Sequence, residues 1–242
     1  MKKQTPNLSE LPTGTDKTER VREIFDTIAP RYDLVNRLMT LGLDQIWRRK
    51  TVNSLQLPKG SLILDLACGT GDLGTIARHN GYQTIGADLS EGMLRANNVL
   101  LKNQFQFILS DATQLPLIDG AVDGIVCGYA LRNFTDLGAC LDECARVTRP
   151  GGRLCILEVC APQSRLLRAG YDVWFERVVP WLGGILSDRE AYRYLPKSTQ
   201  YLPSSPELLS MIHDCGFSMV QQHLLNAGIS QLITATRSGI PR

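Results

Sequence analysis

A short segment between residues 65 and 72 has the composition of a ligand-binding turn. The apolar run Leu62–Leu64 predicts a buried strand, and the segment Cys68–Asp72 then leads into a predicted helix. Gly69 and Gly71 lack a Cβ atom, so the backbone can approach a ligand closely at both positions. The segment therefore predicts a strand-to-helix turn that contacts a bound molecule through its backbone.

The charge around this turn distinguishes between two kinds of ligand. Gly74 completes the G-x-G-x-x-G spacing that dinucleotide-binding folds use at the same place. Asp65 and Asp72, however, bracket the turn, and two carboxylates would repel the pyrophosphate of a dinucleotide. A cationic ligand that carries an amino group suits this composition better. We therefore predict that the turn binds S-adenosylmethionine.

Two further aspartates follow predicted strands. Asp88 ends the second strand, where a carboxylate can accept hydrogen bonds from both ribose hydroxyls; the alternative is a capping role before Ser90. Asp111 follows the third strand and can accept from an adenine amino group, or it can serve only in a turn, while Ala112 leaves room for a ring. The predicted co-substrate contacts are Asp65, Gly69, Thr70, Gly71, Asp88, Asp111, Ala112 and Gly128.

The elements that must position these residues alternate between strands and helices from residue 61 onward. The strand candidates are SLILDLA, QTIGADL, FQFILSDA, AVDGIVCGYAL and RLCILEVCA. Helices are predicted to begin near Asp72, Ser90 and Thr135, the last two with Ser90 and Thr135 as N-caps. This order is typical of an α/β, Rossmann-like doubly wound sheet, which binds ligands at the carboxyl ends of its strands.

The chain as a whole reads as a single domain, residues 1–242, with the fold completed by an antiparallel hairpin near its C-terminus. The hairpin is predicted from two strand-like runs that flank Asn226–Gly228. We expect a flexible leader (1–16), an N-terminal helical cap (17–57), a cofactor-binding core (61–160), a substrate-lid insertion (162–205), and a final helix and hairpin (206–237).

Composition excludes several classes of protein. The 26 basic and 24 acidic residues are mixed along the chain, so nucleic acid is not an expected partner. The sequence shows neither a secretory signal nor an apolar run long enough to span a membrane, which predicts a soluble, cytoplasmic protein. Seven cysteines without an export signal argue against a disulfide framework. Cys140 and Cys144 share a helix face but lack further ligands, so no metal is expected.

The motifs DLACGTGD, GADLS, LSDATQLPL and RPGGRL, between Ser61 and Glu158, resemble those of class I S-adenosylmethionine-dependent methyltransferases. That resemblance implies a seven-stranded sheet with the hairpin at one edge. A narrower resemblance, from Val21 to about Gly228, is to the ubiquinone and menaquinone C-methyltransferases. It rests on Tyr32–Met39, Leu41–Gly42, Trp47–Arg49, Ala130–Asn133, Glu158 with Pro162, and Tyr192–Leu195 with Ser198.

The narrower resemblance implies methyl transfer to a ring carbon of a prenylated quinol, for example demethylmenaquinol to menaquinol. Asp44, Gly128 and Ile233 depart from this family, which commonly has histidine, serine and histidine there. These departures keep open a C- or O-methyltransferase for another small aromatic or polyketide-like acceptor. A dinucleotide-dependent oxidoreductase and a catalytically silent binding module are the alternatives from other classes.

Candidate catalytic residues follow from the chemistry of such an acceptor. A quinol must lose a hydroxyl proton before its ring carbon can attack a methyl group. Arg132 is a poor base, but its cation can stabilise the developing phenolate; the alternative is a surface ion pair. Asn133 and Tyr32 can orient that oxygen or a water molecule, while Tyr32 can equally serve in packing.

The segment Arg165–Leu186 mixes large apolar side chains with arginines. It predicts either an apolar wall for a prenyl tail or an ordinary packed helix. Pro180 and Gly183–Gly184 are expected to break it into pieces that move as a lid. A basic and aromatic face could also rest on the inner face of a membrane as a peripheral contact. The sequence leaves a homodimer open.

Overall fold

The computed structural model describes residues 13–96, 106–162 and 164–239, whose strands form a seven-stranded sheet. The strands are β1 (Leu62–Leu66), β2 (Gln83–Asp88), β3 (Gln106–Leu109), β4 (Val122–Gly128), β5 (Thr148–Val159), β6 (Phe217–Leu225) and β7 (Ser230–Arg237). Their spatial order is β3-β2-β1-β4-β5-β7-β6. The first five pair in parallel, whereas β7 is antiparallel to both β5 and β6. The predicted fold class and hairpin are confirmed.

Helices surround this sheet in the described residues. They are α1 (Gly14–Ile28), α2 (Tyr32–Met39), α3 (Leu43–Asn53), α4 (Asp72–His79), α5 (Glu91–Ala96), α6 (Leu137–Val147), α7 (Arg165–Val173), α8 (Val179–Leu186), α9 (Arg189–Ser198) and α10 (Ser205–Asp214). A π-helical turn, Trp174–Val178, joins α7 to α8. The helix α1 begins at Gly14, so residues 14–16 of the predicted leader are helical; the leader's residues 1–12 lie outside the described part of the chain.

Alternate residues of the central strands enter two separate cores because side chains of a strand point to opposite faces. Leu64 of β1 packs with Leu141 of α6 and Ile212 of α10 on one face. Its neighbour Ile63 packs with Trp47 of α3 on the other face. Both faces are therefore covered, which explains why these strands read as continuous apolar runs.

A third apolar cluster joins the N-terminal helices to α9. Val21 and Ile28 of α1 and Val35 of α2 are buried against Tyr192 and Tyr194. These helices cover the carboxyl ends of the strands, where the predicted ligand site lies.

Two local predictions require correction. The first concerns the N-cap of α6, because Asp136, rather than Thr135, accepts a hydrogen bond from the backbone N–H of Ala139 at 2.9 Å. Aspartate is the stronger acceptor and stands immediately before the helix. The corresponding prediction for α5 is confirmed, since the Ser90 hydroxyl accepts from the N–H of Met93.

The second correction concerns Gly183–Gly184, which lies within α8 and does not break the helix. A Cβ atom at Gly183 would clash with the ring of Tyr192. The glycine therefore allows α8 and α9 to approach closely. The interruption comes earlier, at the π-helical turn, and Pro180 occupies the first turn of α8, where proline is tolerated.

Candidate active site

Two adjoining cavities lie at the carboxyl ends of the parallel strands. The first, of about 400 Å³, is lined by the ends of β1, β2 and β4, by the segment after β3, and by α1. The second, of about 280 Å³, is lined by residues of α2, α3, α7 and α9. Tyr32 and Tyr129 line both cavities. The two cavities therefore meet at these tyrosines.

The glycine turn, Cys68–Asp72, forms part of the first cavity through Gly69. Gly69 and Gly71 have φ angles of 54° and 85°, in the left-handed region that glycine adopts without strain. The hydroxyl of Thr70 donates to Asp33 Oδ1 at 2.7 Å, which ties the turn to α2. Gly69 thus faces the cavity, whereas Thr70 and Gly71 shape the turn behind it.

Asp88 lines the first cavity and also supports the glycine turn. Its Oδ2 accepts from the Gly69 N–H at 2.7 Å, and its Oδ1 accepts from the Ser90 N–H at 2.8 Å. Burial raises the pKa of this carboxyl, although the backbone donors oppose the shift. Each carboxylate oxygen can accept a second hydrogen bond, so ribose binding by Asp88 stays a prediction compatible with its local role.

Asp65 lies beneath the turn, with 1% of its surface exposed. Its Oδ2 accepts from the Gly74 N–H at 2.7 Å, and burial raises its pKa to about 8. This contact fixes the start of α4 beneath the cavity. A direct contact between Asp65 and the co-substrate stays a prediction.

The remaining predicted contacts line the first cavity. Asp111 Oδ1 accepts from both the N–H and the hydroxyl of Thr113, so Asp111 stabilises a turn. It also lines the cavity, and its contact with adenine stays a prediction. Ala112 is buried beside it. A Cβ atom at Gly128 would lie 2.9 Å from Cδ1 of Leu73. Gly128 therefore packs closely against the side chain of Leu73.

The three candidate catalytic side chains are divided between the cavities. Arg132 and Asn133 are neighbours in a 3₁₀ turn after β4, yet Asn133 lines the first cavity and Arg132 lines the second. Tyr32 connects the two because it lines both. Burial raises the pKa of the Tyr32 phenol, so it remains a proton donor.

Arg132 forms a buried ion pair rather than the surface pair considered from the sequence. Its Nη1 donates to Glu158 Oε1 at 2.5 Å, and its Nε donates to Ser198 Oγ at 3.1 Å. Burial lowers the pKa of Arg132, but the opposing effects of Glu158, Tyr32 and Tyr194 together outweigh it and the net shift of the pKa is upward. The guanidinium therefore keeps its charge inside the second cavity.

Three further residues of the site were not assigned a role from the sequence. Asp44 and Arg48 lie one turn apart on α3 and line the second cavity. Tyr129 follows β4 with a φ angle of 60°, which is strained for a residue with a side chain. The i,i+4 spacing of Asp44 and Arg48 could have indicated an ion pair. The positive φ angle of Tyr129, by contrast, has no signal in the sequence.

The first cavity suits S-adenosylmethionine in size and charge. Its volume lies within the range of small-ligand sites. Asp88 and Asp111 place carboxylates at its edge, and Gly69 brings backbone to its surface. This combination fits a nucleoside that carries a positive charge.

Known proteins resemble this chain in sequence and in fold. The sequence profile of the ubiE/COQ5 methyltransferase family matches residues 13–237. A demethylmenaquinone methyltransferase of Thermus thermophilus is 40% identical over 88% of this chain and 100% of its own. The corresponding enzyme of Bacteroides fragilis is 38% identical over 91% of this chain and 94% of its own.

Solved structures share the fold at lower identity. A phosphoethanolamine N-methyltransferase of Haemonchus contortus in complex with S-adenosyl-L-methionine superposes with a TM-score of 0.66 at 13% identity, covering 90% of this chain and 60% of that one. A methyltransferase of Thermotoga maritima gives a TM-score of 0.62 at 20% identity and covers 90% of this chain and 100% of that one. The family match spans most of the sequence, and the chain therefore belongs to the ubiE/COQ5 methyltransferase family, as an S-adenosylmethionine-dependent methyltransferase.

Proposed function

We propose that this enzyme methylates a ring carbon of a prenylated quinol, with demethylmenaquinol as the acceptor and menaquinol as the product. The observation that carries the proposal is the second cavity, which combines a buried arginine with apolar walls and adjoins the first cavity at Tyr32 and Tyr129. The names of the relatives that are 38–40% identical support a quinone acceptor.

The co-substrate would lie in the first cavity, held by Asp88, Asp111 and the backbone of Gly69. When bound there, S-adenosylmethionine supplies a methyl group that is bonded to a positively charged sulfur. The protein must bring an electron-rich ring carbon to the boundary between the cavities. No nucleophilic side chain is needed, because the deprotonated quinol is itself the nucleophile. Its ring carbon would take the methyl group, the sulfur would leave as a neutral thioether, and the hydrogen on that carbon would then be lost as a proton.

Arg132 is the residue that we expect to activate the acceptor. Its charge would stabilise the phenolate oxygen as the hydroxyl proton leaves. Glu158 holds this guanidinium, and Ser198 fixes its Nε. Asn133 and Tyr32, at the boundary of the first cavity, would orient the oxygen or a water that carries the proton away.

The apolar walls of the second cavity suit a prenyl tail. Val179 and Leu195 are buried there, and Trp174 and Tyr171 line the same cavity. The Trp174 Nε1–H donates to the carbonyl of Met39, so α2 and the segment after α7 form one wall. This arrangement supports the predicted role of the insertion in covering the acceptor.

Kinetics of Arg132 variants would test the proposal. Arg132→Ala should lower kcat by about a hundredfold or more with a prenyl quinol, because the site loses a charge that acts on the transition state. Arg132→Lys should rescue activity only in part, since it lacks the planar fork of donors. Ser198→Ala, which removes only the partner of Nε, should have a smaller effect.

The folding of Arg132→Ala must be measured alongside its kinetics. Unpairing a buried carboxylate costs about 3–5 kcal/mol of stability, and Glu158 would be left in that state. Circular dichroism and the affinity for S-adenosylmethionine should confirm a folded enzyme. A folded Arg132→Ala variant that keeps wild-type kcat would overturn the assignment.

Another small aromatic acceptor is the second candidate. Two departures from the family, Asp44 and Gly128, line the cavities, whereas Ile233 is buried in the sheet core away from them. Only the first two can therefore alter the acceptor directly. A panel of prenylated quinols and untailed phenols, with product mass as the readout, separates the candidates.

Contact with a membrane surface completes the proposed function. No helix in the described parts of the chain is long and apolar enough to cross a membrane. Trp181 and Val173, in the segment that forms the acceptor wall, are nevertheless 63% and 53% exposed. Arg168 and Arg177 are exposed in the same segment. This combination supports reversible association with anionic lipid.

A further inference from the structure

Arg48 is a buried cation in the second cavity that the proposed mechanism does not use. It is 6% exposed and lies on α3. The neighbouring residue also anchors this helix, since the Trp47 Nε1–H donates to Asn226 Oδ1 at 2.8 Å. The position of the Arg48 guanidinium is therefore set by a fixed backbone.

Arg48 forms ion pairs with two carboxylates, Asp44 and Asp72, but its Nε donates a hydrogen bond to neither. Its Nε lies 3.7 Å from Asp44 Oδ2 and 3.6 Å from Asp72 Oδ2, both beyond hydrogen-bond distance. Gln45 Nε2 donates to the same two oxygens at 3.0 Å and 3.2 Å. The Thr40 hydroxyl donates to the other oxygen of Asp44 at 2.8 Å. Within the described residues, the buried Nε of Arg48 has no hydrogen-bond partner.

Arg48 also lies near the boundary where the cavities meet. Its guanidinium is 5.7 Å from the centre of the Tyr129 ring. A Cβ atom at Gly128, the last residue of β4, would lie 3.7 Å from Arg48 Nη1. The second cavity thus holds two guanidinium groups, Arg132 and Arg48, among walls that are otherwise largely apolar.

We infer that Arg48 determines specificity for an acceptor that carries two ring oxygens: Arg132 interacts with the oxygen next to the methylated carbon, and Arg48 donates to the second oxygen. This inference rests on the proposed function and deepens it. An acceptor whose second oxygen accepts from this guanidinium gains a charge-assisted hydrogen bond that an acceptor without that oxygen cannot form, so the first acceptor is favoured.

Two matched acceptors would test the inference. One is a prenylated naphthoquinol, and the other is the corresponding prenylated naphthol, which keeps the hydroxyl next to the methylated carbon and lacks the second one. The wild-type enzyme should prefer the quinol by about ten- to a hundredfold in kcat/KM, which is the effect of one charge-assisted hydrogen bond. In Arg48→Met the ratio of kcat/KM for the quinol to kcat/KM for the naphthol should fall towards one, because activity on the quinol is lost.

Three controls accompany the experiment. Arg49→Met makes the same change at the adjacent, exposed arginine and should keep the wild-type preference. Arg48→Lys keeps the charge and should restore part of the preference. If Arg48→Met does not fold, the double variant Arg48→Met with Asp44→Asn removes the opposing charge as well and provides the same comparison. Calorimetry with S-adenosylmethionine verifies that the first cavity is intact.

The outcomes separate this inference from the proposed function. A folded Arg48→Met enzyme that keeps both its quinol activity and the wild-type preference overturns the role of Arg48 and leaves the proposed function standing. A wild-type enzyme that methylates neither acceptor overturns the proposed function and this inference together. Loss of the preference in Arg48→Met, with the naphthol rate unchanged, supports both.

Discussion

The carboxylate of Asp88 holds the glycine turn in place, because it accepts a hydrogen bond from the backbone of Gly69. The same side chain reaches the surface of the first cavity. Asp88 therefore links the glycine turn to the surface of the first cavity, and we expect substitutions to affect both the turn and the binding of the co-substrate.

We expect Asp88→Ala to weaken binding of S-adenosylmethionine by roughly ten- to a hundredfold, since charge-assisted hydrogen bonds contribute about 1.5–3 kcal/mol each. Asp88→Asn keeps one acceptor oxygen and should lose less. Isothermal titration calorimetry measures both changes. Asp119→Ala, at an exposed carboxylate outside the cavity lining, is the matched control. Unchanged affinity in a folded Asp88→Ala variant would reject the ribose contact.

At the scale of elements, α1 connects the N-terminal part of the chain to the first cavity. Its residues Thr15, Thr18 and Val21 line that cavity. Lys17, on the same helix, donates from Nζ to the carbonyl of Phe134 at 2.7 Å and lies 3.6 Å from the centre of the Tyr201 ring. These contacts fasten α1 over the segment that follows β4.

The ammonium group of Lys17 provides a pH test of this attachment. Burial lowers the pKa of Lys17 from 10.5 to about 8. Between these values the unfolded chain binds a proton that the folded chain has released, so this residue makes the free energy of unfolding rise with pH. Urea denaturation from pH 7.5 to 10 should therefore show wild type gaining stability relative to Lys17→Met. Below pH 8 the free energies of unfolding of wild type and Lys17→Met should change with pH at the same rate.

The control for this experiment is Lys50→Met, because Lys50 is an exposed lysine on α3. The free energy of unfolding of Lys50→Met should have the same pH dependence as that of wild type between pH 7.5 and 10. Parallel curves for wild type and Lys17→Met would show that Lys17 titrates normally and would contradict the prediction.

For the whole molecule, the exposed apolar side chains Val173 and Trp181 in the segment Arg165–Leu186 mark the surface that we propose for contact with lipid. The structure indicates which of the two tryptophans in this segment should be substituted to test lipid binding. Trp174 lines the second cavity and is hydrogen bonded to Met39, whereas the side chain of Trp181 is largely exposed. Trp181 is therefore the residue to change.

We predict weak, reversible binding to vesicles that contain anionic lipid, with most of the protein free in solution. Flotation of Trp181→Ser with Val173→Ser should show a clear loss of bound protein, because apolar burial at the lipid surface drives association. Met219→Ser removes an apolar side chain that is 70% exposed on β6 and should bind like wild type. Resistance of the bound protein to salt and carbonate would contradict a surface contact.

The sequence by itself determined the alternation of strands and helices, because apolar runs and turn residues are local signals. It also placed Asp88 and Asp111 at the ends of parallel strands, where topology brings them to one edge of the sheet. Ser90 as an N-cap followed from the same local chemistry. For α6, by contrast, the predicted cap Thr135 lies one residue too early, because the helix begins at Leu137 and Asp136 caps it.

Only the tertiary structure decided how charged side chains are paired and which cavity each one enters. Arg132 meets Glu158 because β4 and β5 are adjacent, and Gln45 bridges Asp44 and Asp72 across two helices. Neighbours in sequence, such as Arg132 and Asn133, line different cavities because successive side chains of a 3₁₀ helix point about a third of a turn apart. The partner of a charged side chain and the cavity that it lines depend on contacts between segments that are distant in sequence. The spacing of residues along the chain does not encode these contacts.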